Sequence, residues 1–225
     1  RKTGEAEMYG AGGQKRVPPE FNKNFCTPLP PLLEQHAIAA FLDAQTAKID
    51  TLIAKKRELI DKLKEKRAAL ITRTVTRGLP PEAAKAAGLD PNPRMKDSGV
   101  EWLGEVPEHW GVKRLKYISP AITVGIVIEP SKYYEDYGVP CLRSFNVKPN
   151  VLIDNNLVYI SEESNRALNK SMLYQGDLVV VRSGAPGTTA VVDDRFHNAN
   201  CIDHIIIKKS SNASSMFVSY YLNST

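Results

Sequence analysis

Four imidazoles and three thiols are the groups in this 225-residue sequence with the widest chemical reach. His36, His109, His197 and His204 stand apart from one another, and each reads as a surface or structural residue. Asp203 precedes His204, but adjacent side chains on a strand point to opposite faces, so the two do not form a pair. Cys26, Cys141 and Cys201 lack paired spacing, which argues against a disulfide framework or zinc knuckle and for a reducing cytoplasm. No Gly is followed by Lys, so no GxxxxGK[ST] phosphate cradle exists, and GxGxxG is absent too. HExxH and CxxC are missing, as are the acidic-x-Lys element of metal nucleases and the Asn-Pro-Pro-aromatic element of amino-methyltransferases. These residues predict neither a catalytic constellation nor a metal site. Whatever the chain does, it is expected to do by binding.

The charge is unevenly spread. Net charge is +5, and residues 1–100 hold 18 Lys/Arg against 12 Asp/Glu, whereas residues 101–225 hold 12 against 13. Within the first part, residues 54–77 carry nine basic and three acidic side chains. Such a stripe invites a polyanion; on charge alone a solvated helix face explains it better.

The elements that would position binding residues follow from punctuation and periodicity. Length allows one generous domain or two small ones, and 42% hydrophobic residues suffice for an ordinary core. No apolar run approaches the ~18 residues of a membrane span. Arg1 is not an initiator Met and no leader follows, so the sequence reads as an internal piece of a longer chain. Residues 1–30 are broken by Gly and Pro. From Leu32 neither residue recurs until Gly78. Pro31 suits a first helical turn, Glu34 the positive end of the helix dipole, and Gly78 with Pro80 and Pro81 a stop. The spacing predicts one helix over 31–78, about 65–70 Å long at ~1.5 Å per residue.

Leu42, Ile49, Leu52, Leu59, Leu63 and Leu70 step by threes, fours and sevens along it, with Lys56 interrupting the seam and Lys66 a second impurity. A stripe that long is expected to pack on an equally long partner as a coiled coil; two ordinary helices bent over a local core remain the alternative.

Residues 79–100 read as a linker with one helical turn at 82–87. Beyond them the pattern predicts an α+β domain with a largely antiparallel sheet punctuated by Gly and Pro. Strands are expected near 122–128, 140–143, 157–160, 177–182, 189–192 and 201–208, and helices at 161–169 and 214–222. Trp102 and Trp110 are assigned to packing.

Several stretches together resemble the specificity (S) subunit of type I restriction–modification systems. Residues 28–35 (PLPPLLEQ), Ile38, Ile49-Asp50, Leu52-Ile53, Lys55-Lys56, Leu63-Lys64, Arg67 and residues 75–79 (VTRGL) are similar to that family's central conserved region. Residues 95–110 (MKDSGVEWLGEVPEHW) and Lys113–Leu115 resemble the opening of a target recognition domain. Residues 138–143 (GVPCLR), 176–184 (GDLVVVRSG) and 187–190 (GTTA) fit the interior of one.

The resemblance implies residues 1–30 as the tail of a preceding recognition domain and 31–78 as a conserved spacer helix. After the linker, 101–225 would be a recognition domain incomplete at its C-terminus. It implies a non-catalytic subunit that reads one half of a bipartite duplex DNA target and positions methyltransferase (M) and restriction (R) subunits. S-adenosylmethionine, ATP and Mg would belong to those partners, and a homodimer through the long helix is left open.

Base readers are then expected on loops: Arg143, Ser144 and Asn146, and Arg182, Ser183, Thr188 and Thr189. Around Gly184, Pro186 and Gly187 a plain hairpin turn is the competing reading. Lys113, Arg114, Lys116 and Lys148 are expected on phosphates. The rival is a coiled-coil adaptor that binds protein rather than DNA.

Overall fold

Pro31 accepts the first turn of the long helix, with the Glu34 and Gln35 N–H groups donating to its carbonyl at 2.9 and 3.0 Å. The Gln35 side chain closes the entry by donating to the Pro30 carbonyl at 2.7 Å. From there the computed structural model, which describes residues 16–224, runs one helix over Leu32–Arg77, 46 residues, as the spacing predicts. Gly78 ends it in the left-handed region (φ 91°), its N–H donating to the Thr74 carbonyl at 3.1 Å. The chain divides into two units, residues 1–61 and 62–225.

In the first unit a short helix, Pro19–Lys23 (α1), precedes the long helix (α2), which buries no side chain there. Leu42, Ile49, Leu52, Leu59, Leu63 and Leu70 stand 49–56% exposed, so the apolar stripe is solvated on both sides of the division. Outside α2 the longest helix among the described residues has eight residues, so none of them matches α2 in length. Of the expected recognition-domain tail, residues 1–15 lie outside the described residues.

The second unit holds two four-stranded sheets. The first takes the order β10 (Thr189–Val191), β9 (Leu178–Val181), β12 (His204–Ile207), β3 (Ile122–Val124), antiparallel throughout. The second takes the order β11 (Asn200–Cys201), β5 (Val139–Leu142), β8 (Val158–Ile160), β4 (Tyr134–Glu135), and only its β11–β5 pair is parallel. Two hairpins complete the strands: β1 (Met95–Asp97) with β2 (Glu105–Pro107), and β6 (Val147–Lys148) with β7 (Val151–Leu152). A core of Leu142, Leu173, Val179, Val181, Phe196 and Ile206 packs with the sheets.

Residues 200–207 belong to both sheets. β11 pairs with β5 in one, and after a two-residue break β12 pairs with β9 and β3 in the other. Gly125 makes the crossing tight, because a Cβ there would lie 2.5 Å from the Cys201 carbonyl oxygen.

Polar groups anchor the ends. Lys208 Nζ meets the buried Asp177 carboxylate at 2.8 Å and donates to the Met172 carbonyl at 2.6 Å, tying the end of β12 to the start of β9. The C-terminal helix Ser215–Leu222 is followed by Asn223, whose side-chain amide pairs with the Thr189 backbone at 2.8 and 2.9 Å. Edge strand β10 is thereby capped as if by a further strand.

Between the long helix and the sheets, the expected turn at 82–87 is the helix Pro81–Ala86, with Ala84 buried, and strand β1 follows it. Trp102 is 69% exposed and touches Tyr221 at 6.4 Å between ring centres, so it packs at a corner and not in the core. Trp110 does pack, edge-on to Phe217 at 6.3 Å.

His204 opens β12 fully buried, and neither ring nitrogen closes a hydrogen bond of good geometry. Burial lowers its pKa from 6.5 to about 4, the Ile202 backbone and Asp203 carboxylate opposing. The imidazole therefore stays neutral in the fold over a range where the unfolded chain takes up a proton. Its contribution is present above pH 6.5 and is lost as pH falls from 6.5 towards about 4. The loss approaches roughly 3 kcal/mol at ~1.36 kcal/mol per unit. Urea unfolding at pH 4.5 and pH 7 should show a smaller pH effect for His204→Leu than for the parent; equal pH effects would contradict this.

Candidate nucleic-acid interface

The sheet crossing determines which loops meet. In the parallel pair Cys201 stands opposite Leu142, so the next residue of β5's strand, Arg143, emerges beside Ile202. In the antiparallel pair His204 stands opposite Val181, which sets Arg182 opposite Asp203. The two loops singled out in the sequence therefore leave their strands on either side of one residue, Asp203. That residue adopts the left-handed conformation (φ 53°), and its N–H donates to the Ile126 carbonyl at 3.0 Å.

Side chains complete the contact. Arg182 Nη1 lies 2.9 Å from Asp203 Oδ1, and Ser183 Oγ donates to Asp203 Oδ2 at 2.5 Å. On the other side Arg143, Ser144, Phe145, Asn156, Ile202 and Asp203 line a shallow depression of about 450 Å³. Arg143 Nη2 donates to the Asn156 carbonyl at 2.6 Å, and its guanidinium sits 5.8 Å from the Phe145 ring centre. Two fixed guanidinium groups thus edge one solvent-open surface. This geometry suits bidentate donation to guanine O6/N7 and, through Phe145, contact with an unpaired or kinked base.

The other candidates divide. Asn146 is fully buried: its Oδ1 accepts from the Arg143 N–H at 3.0 Å, and its Nδ2 donates to the Ile153 and Asn155 carbonyls at 3.0 and 2.9 Å. Thr189 is fully buried as well, its hydroxyl donating to the Gly187 carbonyl at 2.9 Å. Both are corrections to the sequence reading, since every group they could offer a base is already used inside the fold.

Ser144 is half-buried at the edge of the depression, and Thr188 is half-buried in the connection between β9 and β10. That connection is a hairpin, with Gly184 and Gly187 at φ 89° and 88°. Lys148 is exposed on β6. Lys113, Arg114 and Lys116 are exposed elsewhere, the first two lining an apolar hollow with Trp110 and Phe217. Lys56 is exposed on α2 with the rest of its seam.

Phe145 and Asn156 are residues that sequence reasoning did not reach, and Asp203 entered it only as the neighbour of His204. Only the neighbourhood of Arg143 gave any sign of Phe145.

Burial pushes the Cys141 thiol up to about 12, Arg143 opposing, and raises Cys201 well above its ordinary value, so neither offers a thiolate. Among the described residues no three of His, Cys, Asp and Glu come together to hold a metal ion. Two hollows of about 1140 and 720 Å³ lie along the end of α2, and no carboxylate, imidazole or thiol lines either.

No protein-family model matches the chain. It is 28% identical over 172 residues to the type I restriction enzyme EcoBI specificity subunit of Escherichia coli, covering 73% of this chain and 34% of that protein. It is 25% identical over 173 residues to the type I restriction enzyme MjaVIII specificity subunit of Methanocaldococcus jannaschii, covering 75% and 35%. The chain thus spans about a third of the length of these curated relatives. A solved structure from work on assembly and conformational transition of the type I R-M system shares the fold, with a TM-score of 0.59 at 19% identity. That match covers 95% of this chain and 46% of the other. Together with the long helix and the α+β domain behind it, these likenesses make the chain similar, over about three quarters of its length, to the specificity subunits of type I restriction enzymes.

Proposed function

We propose that this chain reads one half of a bipartite duplex DNA target and positions methyltransferase and restriction subunits of a type I complex in the cytoplasm. Residues 101–225 act as the recognition domain, 31–78 as the spacer helix and 1–30 as the tail of a preceding recognition domain. One observation carries the reading: Arg143 and Arg182 are brought to a single open surface by strands that hold no catalytic group. Base edges in a major groove are the ligand such a surface suits. S-adenosylmethionine, ATP and Mg serve the partner subunits, where the chemistry takes place. Among the described residues no helix is long and apolar enough to cross a membrane. The adaptor alternative has no observation of its own.

Duplex binding by the chain should weaken steeply with salt, because phosphates neutralised by Lys and Arg release counterions. Gel-shift titrations across a salt series measure this. Lys113→Ala should weaken binding to all duplexes alike and lower the salt slope by about one. A parent chain whose affinity ignores salt would contradict the reading.

The helix has its own test. An apolar stripe half exposed over six positions favours burial against a second copy of the same helix. Leu52→Asp with Leu59→Asp should convert an associated parent to a species sedimenting at 24.9 kDa. Sedimentation unchanged by the double substitution would exclude α2 as the dimer contact.

A further inference from the structure

We propose that Asp203 is the positioning residue that makes Arg182 a reader of guanine rather than a general phosphate contact. The inference rests on the reading of the chain as a DNA-recognition subunit and goes on to assign the part of the site that sets sequence preference.

A guanidinium reads O6 and N7 of guanine only if its planar fork is held at a fixed angle; on a free side chain it serves the nearest phosphate equally well. Arg182 follows the last residue of β9 and is 42% exposed, so without a tether its head would sweep through solvent. Asp203 supplies the tether. Its Oδ1 takes Nη1 at 2.9 Å, and its Oδ2 takes the Ser183 hydroxyl, so the carboxylate is itself held from two sides. Among the described residues no other carboxylate pairs with Arg182, which leaves the rest of its fork to a ligand.

The carboxylate is well fixed for this work. Its backbone is left-handed, bonded to the Ile126 carbonyl, and lies between strands committed to two different sheets. It also brings selectivity by exclusion. A negative charge at the surface disfavours acceptor-rich base edges and phosphate oxygens that Arg182 does not engage. Arg143 works as a control within the same depression, because its tether is the Asn156 backbone carbonyl, which no side-chain substitution at Asp203 removes.

Asp203→Asn isolates the effect. Asn tolerates left-handed backbone and still accepts from Ser183, but it loses the charge that holds Arg182. The full chain and its variants would be used to select from duplexes carrying a randomised cassette, with thermal melting to check the fold. The parent should favour guanine at a position that Arg182→Ala relaxes. Asp203→Asn should reduce that preference roughly ten-fold, the scale of a bidentate contact, and leave the other positions intact. Affinity for scrambled duplex should hold or rise, and the salt slope should steepen by about one as the freed Arg182 turns to phosphate. On the Arg182→Ala background the substitution should change the guanine preference no further.

Should Asn unfold the chain, Asp203→Gly keeps the left-handed turn and is read the same way. Retained preference at every position, or a loss that adds in full to that of Arg182→Ala, would overturn the tether while leaving the DNA reading in place. A parent that selects no sequence would overturn the DNA reading and the tether with it.

Discussion

The structure of the second unit depends on one constraint: a single stretch, residues 200–207, is hydrogen-bonded into two sheets. Had it continued straight, β11 and β12 would be one strand of one sheet. Gly125 lets a neighbouring segment approach Cys201 so closely that the strand turns, and Asp203 takes up the left-handed residue that completes the turn. The loops after β5 and β9 come from different sheets, and they share a surface only because this stretch serves both. Buried His204, next in the chain, ties that crossing to pH through its depressed pKa.

Rigidity and openness are divided between the two faces of the crossing. Inward lie Cys201, His204 and Ile206, fully buried; outward stands Asp203 with its two oxygens committed to Arg182 and Ser183. A surface that must discriminate bases gains from donors fixed before the ligand arrives, since less conformational freedom is lost on binding. The site Asn146 builds shows the same economy. Its amide holds the Arg143 N–H and the Ile153 and Asn155 carbonyls, so the arginine leaves a closed turn instead of a floppy loop.

Much of this was legible in the sequence, for reasons that can be named. The helix boundaries were marked by Pro31 and Gly78, where missing donors and a left-handed cap leave little freedom. Strands rich in Val and Ile, such as Leu178–Val181 and His204–Ile207, announced themselves by composition. Arg143 and Arg182 stood out because each follows such a strand.

Hidden from the sequence were features set by tertiary partners. Asn146 and Thr189 have the same chemistry as base readers, and only burial reveals that their hydrogen bonds are spent inside. Asp203 gave no signal, since a left-handed Asp between two strands looks like any other strand residue. Strand β1 of the first hairpin is short and polar, and so it reads as part of a linker. Trp102 has the composition of an anchor, yet only the packing around Tyr221 shows that its ring stays largely in solvent.

The central claim is that two arginines from different sheets share one reading surface. A crystal structure of the chain on a duplex that it selects tests this most directly. The account predicts that the Arg143 and Arg182 guanidinium groups enter the same groove, with Asp203 between them and still bonded to Arg182. A duplex that lies instead along the Trp110–Phe217 hollow, with both arginines in solvent, would contradict it.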